Sequence, residues 1–223
     1  MHKAIGTDRR RDPMRTILVL NEIDADVIAL QEADRRFGTR AGEISPHLLD
    51  EHSPWKAVPV GVRTQSMGWH GNALLIRKDA VLSQCDTIHL PTLEPRGAVM
   101  ADVRINGVAL RIVGMHLDLS GLWRRRQATA ILAHIAGAST QYPTVLMGDL
   151  NEWTRAAGCL RDFGRDYTSC DTGPSFHARR PVARLDRILV SRDIKVVDCG
   201  VHESMAARTA SDHLPIWARL EVA

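Results

Sequence analysis

The sequence predicts an α/β (α+β) fold, a mixed-sheet sandwich with helices packed against its β-sheets. Three observations support this prediction. Several apolar runs have the length of buried strands, two such runs are joined by an Asn-Gly step, and two longer segments have helical periodicity. The Asn-Gly step argues against an all-parallel sheet, because a tight two-residue turn joins antiparallel strands.

The first part of the chain is predicted to form a helix, a tight turn and a strand. Asp12-Pro13 is a typical helix start, with a capping carboxylate before a proline. Asp24-Ala25-Asp26 is predicted to turn into a strand, Val27-Ile28-Ala29-Leu30, that leads to Gln31-Glu32. The segment Arg35–Val58 lacks a clear period, so it is predicted to be a loop with one short helix near Pro46–Leu49.

Predicted strands dominate the rest of the chain. They are Asn72–Arg77, Val81–Leu90, Ala98–Arg104, Val108–Met115, a strand opened by Pro143 that leads to Asp149, Ile188–Val190, Lys195–Val201 and Leu214–Leu220. A helix is predicted from Ser120 to about Ala136. The apolar positions that predict its buried face are Leu122, Ala130, Ile131, Ala133 and Ile135. The segment Glu152–Arg184 is predicted to be rich in loops.

Composition indicates an ordinary globular protein. The chain has 223 residues, of which 44% are hydrophobic and 25% charged, and it contains no internal repeat or linker. We therefore expect one domain over residues 1–223. No apolar stretch approaches the roughly 18–20 residues of a membrane span, and the polar first residues do not form a signal peptide. A cytoplasmic location is the expectation. Its four cysteines form no C-x-x-C pair, which favours reduced thiols over a zinc site.

Short arginine clusters leave two interpretations open. The net charge is only +3, but Arg9-Arg10-Arg11, Arg124-Arg125-Arg126 and Arg179-Arg180 concentrate positive charge. These clusters form either solvated surface or a rim that attracts phosphate, since the arginine fork matches phosphate geometry.

The sharpest local motif is Gly148-Asp149-Leu150-Asn151, at the end of a predicted strand. In an extended segment, residues two apart point the same way, so the carboxylate of Asp149 and the amide of Asn151 would face one cleft. The carboxylate can orient or deprotonate water or bind a metal ion, and the amide can bond a phosphate oxygen. The alternative is an Asp-x-Asn turn that only bonds its own backbone.

Three further acidic positions suit the same chemistry. Glu32 is costly at a buried strand end unless it is paired or bound to a cation, and magnesium prefers carboxylate oxygens; alternatively, its strand simply ends at the surface. In Ser211-Asp212-His213 the carboxylate can ligate a metal or orient the imidazole; alternatively, the segment is a plain loop. Asp186 either orients a histidine or belongs to a surface salt-bridge cluster.

His116 follows another apolar run. It is either a hydrogen-bonded core histidine or a donor to a phosphate oxygen. If these strand ends converge, they supply the side chains of a metal-dependent hydrolase. The chain lacks G-x-x-x-x-G-K-[ST], G-x-G-x-x-G, H-E-x-x-H and Gly-x-Ser-x-Gly. Nucleoside-triphosphate, dinucleotide, zincin and serine-hydrolase chemistries are therefore disfavoured.

In this order, the motifs resemble those of the endonuclease/exonuclease/phosphatase superfamily, which includes pancreatic deoxyribonuclease, abasic-site endonucleases, neutral sphingomyelinases and inositol-polyphosphate 5-phosphatases. The similarity is greatest to small bacterial members of uncharacterised substrate. The matching motifs are Ala29-Leu30-Gln31-Glu32, Gly71-Asn72-Ala73-Leu74-Leu75, Pro95-Arg96-Gly97, Met115-His116-Leu117, Gly148-Asp149-Leu150-Asn151, Leu185-Asp186-Arg187-Ile188 and Ser211-Asp212-His213-Leu214-Pro215.

The resemblance implies a four-layer sandwich of two packed mixed β-sheets flanked by helices. It also implies hydrolysis of a phosphate ester that depends on Mg²⁺ or Mn²⁺. By matching position, Glu32 would be the principal metal ligand with Asp212 near the metal, and Asp149 would activate water. The residues implied to contact phosphate are Asn151, the pair Asp186 and His213, His116, Arg96 and Asn72.

The beginning of the sequence departs from the family pattern. Members usually open with an apolar strand that ends in an Asn-x-His or Asn-x-Asp step, whose Asn contributes to the metal and phosphate site. Here His2 matches the third residue of that step and is expected to contact the substrate, but the strand and its Asn are absent. We expect that the natural chain begins further upstream.

Two questions of function stay open at this point. The substrate is a phosphate ester of nucleic acid, a lipid headgroup or a small phosphodiester; an aromatic content of 4% makes base-stacking platforms scarce. The rival to an enzyme is a non-catalytic anion-binding protein that kept the scaffold and lost activity with the N-terminal strand.

Overall fold

Two layers of β-sheet pack face to face and helices cover both outer sides, which confirms the predicted sandwich. This is a computed structural model, and it describes residues 1–34, 41–60 and 66–222. Residues 35–40, part of the predicted loop, lie outside the described residues. Within the described part, no helix is both long enough and apolar enough to cross a membrane.

The elements begin with a single 3-10 turn at His2–Ala4. The α-helices are α1 Pro13–Ile23, α2 Pro46–His52, α3 Gly121–Ala136, α4 Cys159–Phe163 and α5 Met205–Ala210. The strands are β1 Val27–Leu30, β2 Trp55–Ala57, β3 Ala73–Arg77, β4 Val81–Ile88, β5 Gly97–Ile105, β6 Val108–His116, β7 Thr144–Asp149, β8 Tyr167–Ser169, β9 Asp186–Ser191, β10 Ile194–Val201 and β11 Ile216–Val222. Every predicted strand is present, with ends shifted by at most two residues.

One layer is a six-stranded sheet in the order β4-β5-β6-β7-β9-β8, in which β6 and β7 are parallel and the other neighbours antiparallel. The other layer consists of a three-stranded sheet, β1-β3-β2, and a two-stranded sheet, β10-β11. Apolar side chains from both layers share one core; examples are Leu74, Ile112, Val145 and Ile188. Helices α3 and α4 cover the six-stranded sheet, and α1 covers the three-stranded one.

Short sequence motifs correctly predicted the start of one helix and one hairpin turn. Asp12 Oδ1 accepts the backbone N–H of Arg15 at 3.1 Å, so it caps α1 as predicted. Asn106 and Gly107 join β5 to β6 with φ angles of 49° and 85°. Two positive φ angles are what a two-residue hairpin turn requires, and Asn-Gly adopts them readily.

The predicted buried face of α3 was wrong in part. Leu122 and Ala133 are exposed, whereas Ile131 and Ile135 are buried. The buried stripe instead includes Arg124 and Gln127. Both polar side chains are satisfied: Arg124 Nε lies 3.3 Å from Glu152 Oε2, and the Gln127 amide bonds the backbone of Asp118 and Pro91. Arg124 therefore belongs neither to solvated surface nor to a phosphate rim.

Candidate active site

Three neighbouring strands deliver polar side chains to one edge of the six-stranded sheet. His116, the last residue of β6, pairs with Asp149, the last residue of β7, and Asp149 pairs with Asp186, the first residue of β9. Gly148 precedes this row with a φ of 148°, and a Cβ there would lie 1.9 Å from the backbone oxygen of Met115. Only glycine fits this close approach of β7 to β6.

Asp149 lies between His116 and the backbone of its own turn. His116 Nε2 is 3.4 Å from Asp149 Oδ2, and the N–H of Asn151 donates to Asp149 Oδ1 at 2.8 Å. Burial disfavours the charged carboxylate, but the bond and charge of His116 outweigh burial and hold the pKa of Asp149 at about 2. Asp149 is therefore ionised at neutral pH and can orient water.

His116 also meets a second basic side chain. Arg96 Nη1 lies 2.7 Å from Nε2 and 3.0 Å from Nδ1 of His116. A guanidinium has donors only and a carboxylate only accepts, so both contacts are satisfied when Nδ1 of His116 presents its lone pair to Arg96 and Nε2 carries the proton toward Asp149. Arg96 thus positions His116 and places a positive charge beside it.

Asp186 and His213 form a tight pair. His213 Nδ1 is 2.8 Å from Asp186 Oδ2, which also accepts the hydroxyl of buried Ser175. Burial disfavours the imidazolium, but the charge and hydrogen bond of Asp186 prevail and raise the pKa of His213 to about 9. His213 is therefore protonated at neutral pH and can donate to an anion. The ring of Phe176 packs on it at 4.8 Å between centroids.

Glu32 follows β1 in a left-handed conformation with a φ of 54°. Its Oε2 atom is buried without a hydrogen-bond partner, and Lys3 Nζ lies 3.8 Å from that oxygen. A carboxylate oxygen that is buried without a bond is costly, and a cation would relieve the cost. This orphaned oxygen is the observation that makes a metal ion fit the site.

Met1, His2 and Asp212 complete the lining of the candidate site. His2 Nδ1 is 3.6 Å from Asp212 Oδ1, and the ammonium of Met1 donates to the backbone oxygen of Gln31 at 2.9 Å. Burial lowers the pKa of this ammonium below its ordinary value of 8.0, against the opposing attraction of the surrounding carboxylates, Glu32 first. Burial thus favours the neutral amine, so Met1 competes with a cation for these carboxylates less than an ordinary N-terminus would.

The side chains just described enclose a cavity of about 60 Å³. Its lining includes seven residues singled out from the sequence: His2, Glu32, His116, Asp149, Asp186, Asp212 and His213. They lie on six separate segments of the sequence, so their convergence is a result of the fold.

Two sets of ligands for a metal ion are available in this cavity. Ligand atoms of Asp149, Asp186 and His213 lie within 4.8 Å of one another. His213, however, is protonated and bonded to Asp186, and a histidine ligates a metal only without the proton at the ligating nitrogen. Glu32 and Asp212 are therefore the better ligands, because neither is tied to a histidine as closely as Asp186 is.

Three predicted contacts to phosphate do not line the cavity. Asn151 has a φ of 50° and donates its amide to the backbone oxygen of Leu117 at 2.9 Å. Because β7 ends at Asp149, the extended geometry expected through Asn151 is absent, and the Asp-x-Asn turn is what forms. Asn72 is buried and donates to the backbone oxygen of Gly97 at 2.9 Å. Arg96 stands behind His116.

Sequence reasoning missed Ser175 and Phe176, which support Asp186 and His213 from a segment predicted to be loop. Phe176 also meets Trp153 edge to face at 6.5 Å between ring centroids. Nothing in the local pattern around Ser175 marks it, because its partner, Asp186, is eleven residues away.

Comparison with known proteins agrees with the fold. The sequence profile described as the Endonuclease/Exonuclease/phosphatase family matches residues 6–213. No curated protein sequence matches the chain.

Solved structures of low sequence identity share the architecture. An endonuclease/exonuclease/phosphatase from Bacteroides vulgatus superposes with a TM-score of 0.77 at 19% identity, covering 94% of this chain and 89% of that chain. A Bacteroides thetaiotaomicron mannosyl-6-phosphatase superposes with a TM-score of 0.73 at 16% identity, covering 92% of this chain and 89% of that chain. D. rerio TDP2 complexed with a single-strand DNA product superposes with a TM-score of 0.71 at 16% identity, covering 93% of this chain and 90% of that chain.

Proposed function

The chain belongs to the endonuclease/exonuclease/phosphatase family, and we propose that it hydrolyses a phosphate ester with the help of a divalent cation. The observation that carries the proposal is the cavity of about 60 Å³, where an ionised Asp149, a protonated His213 and the orphaned oxygen of Glu32 meet. An acceptor for water, a donor to an anion and a ligand for a cation together suit attack of water on phosphorus.

In this proposal, two histidine–aspartate pairs have different roles: one orients water and the other binds phosphate. Asp149 accepts a hydrogen bond from the attacking water and aligns it with the phosphorus atom. His213 donates to a phosphate oxygen, and Asp186 with Ser175 holds its imidazolium in place as negative charge grows. Arg96, which contacts the ring of His116, adds positive charge on this side of the site.

Glu32 and Asp212 would hold the cation, Mg²⁺ or Mn²⁺, since hard cations prefer carboxylate oxygens. When bound, such a cation stabilises negative charge on a phosphoryl oxygen as a Lewis acid.

The proposed substrate is a phosphate ester, without a choice of a narrower class. Of the two solved structures with a named activity or product, one is a sugar phosphatase and the other holds a DNA product, and both are too distant in sequence to choose between them. Exposed Arg179 and Arg180 favour an anionic substrate of either kind.

A panel of substrates tests the proposal. It contains plasmid DNA, abasic-site DNA, RNA, phosphoinositides, a sugar phosphate and a bis-aryl phosphate, each with Mg²⁺, with Mn²⁺ and with EDTA. We expect hydrolysis of at least one member that EDTA abolishes. Hydrolysis that persists unchanged in EDTA would contradict the role of the cation.

A second candidate is a non-catalytic anion-binding protein. The Lys3–Glu32 contact favours it, because it places positive charge where a cation would bind. Binding of inorganic phosphate by calorimetry, without turnover of any panel member, would support this candidate over the enzyme.

A further inference from the structure

Large apolar side chains that face solvent are concentrated on one group of loops. Within the part of the chain that the structure describes, six such side chains are at least 60% exposed, and one of them, Met205, lies on α5. Single exposed apolar residues are ordinary, but a concentration of them marks a surface that binds a partner. The other five, named the apolar rim from here on, are Leu93, Leu119, Leu122, Trp153 and Val182.

The apolar rim adjoins the strand ends that carry the candidate site. Its residues precede β5, follow β6, follow β7 and precede β9. The strand ends from which these segments leave form one row, because Gly97 pairs with His116, His116 with Asp149, and Asp149 with Asp186. The apolar rim therefore lies beside the residues proposed to bind phosphate.

A buried side chain joins two segments of the apolar rim. Gln127 accepts the N–H of Asp118 at 2.9 Å, next to Leu119 in the chain. Its amide also donates to the oxygen of Pro91 at 3.1 Å, two residues before Leu93. The loops before β5 and after β6 are thus fixed against each other.

Trp153 is exposed on a backbone that is held on both sides. Arg187 Nη2 lies 3.4 Å from the backbone oxygens of the residues before and after it. The ring of Trp153 meets Phe176 edge to face at 6.5 Å, and the oxygen of Phe176 accepts the N–H of Val182 at 2.8 Å. Because this backbone is already ordered, little conformational freedom is lost when the exposed ring binds a partner.

The surface around the apolar rim is positively charged. The segments 117–126, 151–157 and 174–184 contain two acidic residues, Asp118 and Glu152, and both are buried. Exposed apolar side chains among arginines complement a surface that is apolar within and anionic outside, as a membrane of anionic phospholipids is. The exposed arginines of these segments include Arg126, Arg155, Arg179 and Arg180.

We infer that the apolar rim binds the surface of a membrane that contains anionic phospholipids. Its leucine, valine and tryptophan side chains enter the boundary between headgroups and acyl chains, and the arginines bind the headgroups. Four of the five side chains are aliphatic. This composition disfavours nucleic acid as the partner, since unpaired bases stack on aromatic side chains.

A membrane bound here would bring lipid phosphates to the cavity that Asp149 and His213 line. The ester that is hydrolysed would then be that of a lipid headgroup, an identification that rests on the proposed function. Binding to the membrane does not rest on it, because the five side chains of the apolar rim lie outside the lining of the cavity.

Binding to vesicles in EDTA tests the apolar rim apart from hydrolysis. The vesicles contain phosphatidylcholine alone or with about 30% phosphatidylglycerol, and sedimentation separates bound from free protein. We expect binding to the anionic vesicles, at least about tenfold weaker binding to phosphatidylcholine alone, and no release by inorganic phosphate at constant ionic strength. The triple variant Leu119→Gln, Leu122→Gln, Val182→Gln should bind the anionic vesicles at least about tenfold more weakly.

The matched control changes three exposed apolar side chains on α1, β10 and α5. It is the triple variant Leu18→Gln, Val197→Gln, Met205→Gln, which should bind as the wild type does. Lipids brominated on their acyl chains provide a second measurement, because they quench tryptophan that enters the membrane. We expect quenching in the wild type and loss of most of it in Trp153→Phe, which keeps an aromatic ring beside Phe176.

Absence of binding to anionic vesicles, release by inorganic phosphate, or equal binding by the two triple variants would overturn the inference. So would tight binding of a single-stranded oligonucleotide that the Leu119, Leu122 and Val182 variant loses, in a protein that binds no vesicles. Vesicle binding through the apolar rim by a protein that hydrolyses no member of the substrate panel would support the inference and contradict only the proposed function.

Discussion

Asp149 and Asp186 stand directly opposite each other in the antiparallel register of β7 and β9. Like charges at such positions repel, yet each carboxylate is paired with a different histidine. Nε2 of His116 lies 3.4 Å from Asp149 Oδ2, and Nδ1 of His213 lies 2.8 Å from Asp186 Oδ2. The register thus places an ionised carboxylate next to a protonated imidazole, the two groups that the proposed function uses to accept from water and to donate to phosphate.

Removal of the charge on Asp149 tests the first half of this arrangement. We expect Asp149→Asn to lower kcat at least about a hundredfold, because the amide is a poor acceptor for the proton of water. The matched control is Asp198→Asn on exposed β10, which we expect to leave kcat unchanged. Steady-state kinetics on any substrate found in the panel, with circular dichroism as a check of folding, gives the answer. Equal rates for Asp149→Asn and the control would exclude Asp149 from the chemistry.

The second pair predicts a shifted titration of His213. The partner Asp186 raises the pKa of His213 to about 9, so Asp186→Asn should bring it back toward the ordinary value of 6.5. Ser175→Ala should lower it less, because the carboxylate remains. NMR titration of the ring protons measures this directly. An unchanged pKa in Asp186→Asn would show that the pair does not hold the proton.

The same two groups set the dependence of stability on pH. The pKa of His213 is raised in the folded protein, so its contribution is complete below about 6.5 and is lost as the pH rises through about 9. The pKa of Asp149 is lowered, so its contribution is complete above 3.8 and is lost as the pH falls toward about 2. Urea unfolding in EDTA should therefore show a free energy of unfolding that falls at both acidic and alkaline pH. A free energy of unfolding that stays constant at alkaline pH in the wild-type chain would contradict the raised pKa of His213.

A buried ion pair away from the site provides a test of stability alone. Asp102 and Arg111 are cross-strand neighbours in β5 and β6, joined by two hydrogen bonds of 2.7 and 2.8 Å. Asp102→Ala would leave the guanidinium buried without its partner and should lower the free energy of unfolding by about 3–5 kcal/mol. The double variant Asp102→Leu, Arg111→Met should recover much of this loss. Chemical denaturation of both variants measures it, and a loss below about 1 kcal/mol for Asp102→Ala would be contrary to expectation.

The fold was largely predictable because its strands are short apolar runs bounded by turn residues. The Asn106-Gly107 turn and the Asp12 cap each act through neighbouring residues, so a local pattern is enough to find them. The buried face of α3 was not predictable in the same way. Arg124 is buried there only because Glu152, distant in the chain, pairs with it.

In the candidate site, too, some features follow from neighbouring residues and others depend on contacts between distant parts of the chain. Each residue from Glu32 to His213 that lines the cavity ends or adjoins an apolar run, and that pattern is visible in the sequence. The turn at Asn151 and the support from Ser175 depend on where β7 stops and on contacts across the fold.

Anomalous diffraction from crystals grown with Mn²⁺ and inorganic phosphate tests the central claim most directly. We expect one strong manganese peak in contact with Glu32 and Asp212, a phosphate within hydrogen-bond distance of His213, and loss of the manganese peak in Glu32→Gln. A manganese peak bound elsewhere, or no peak at saturating metal with phosphate far from His213, would contradict it.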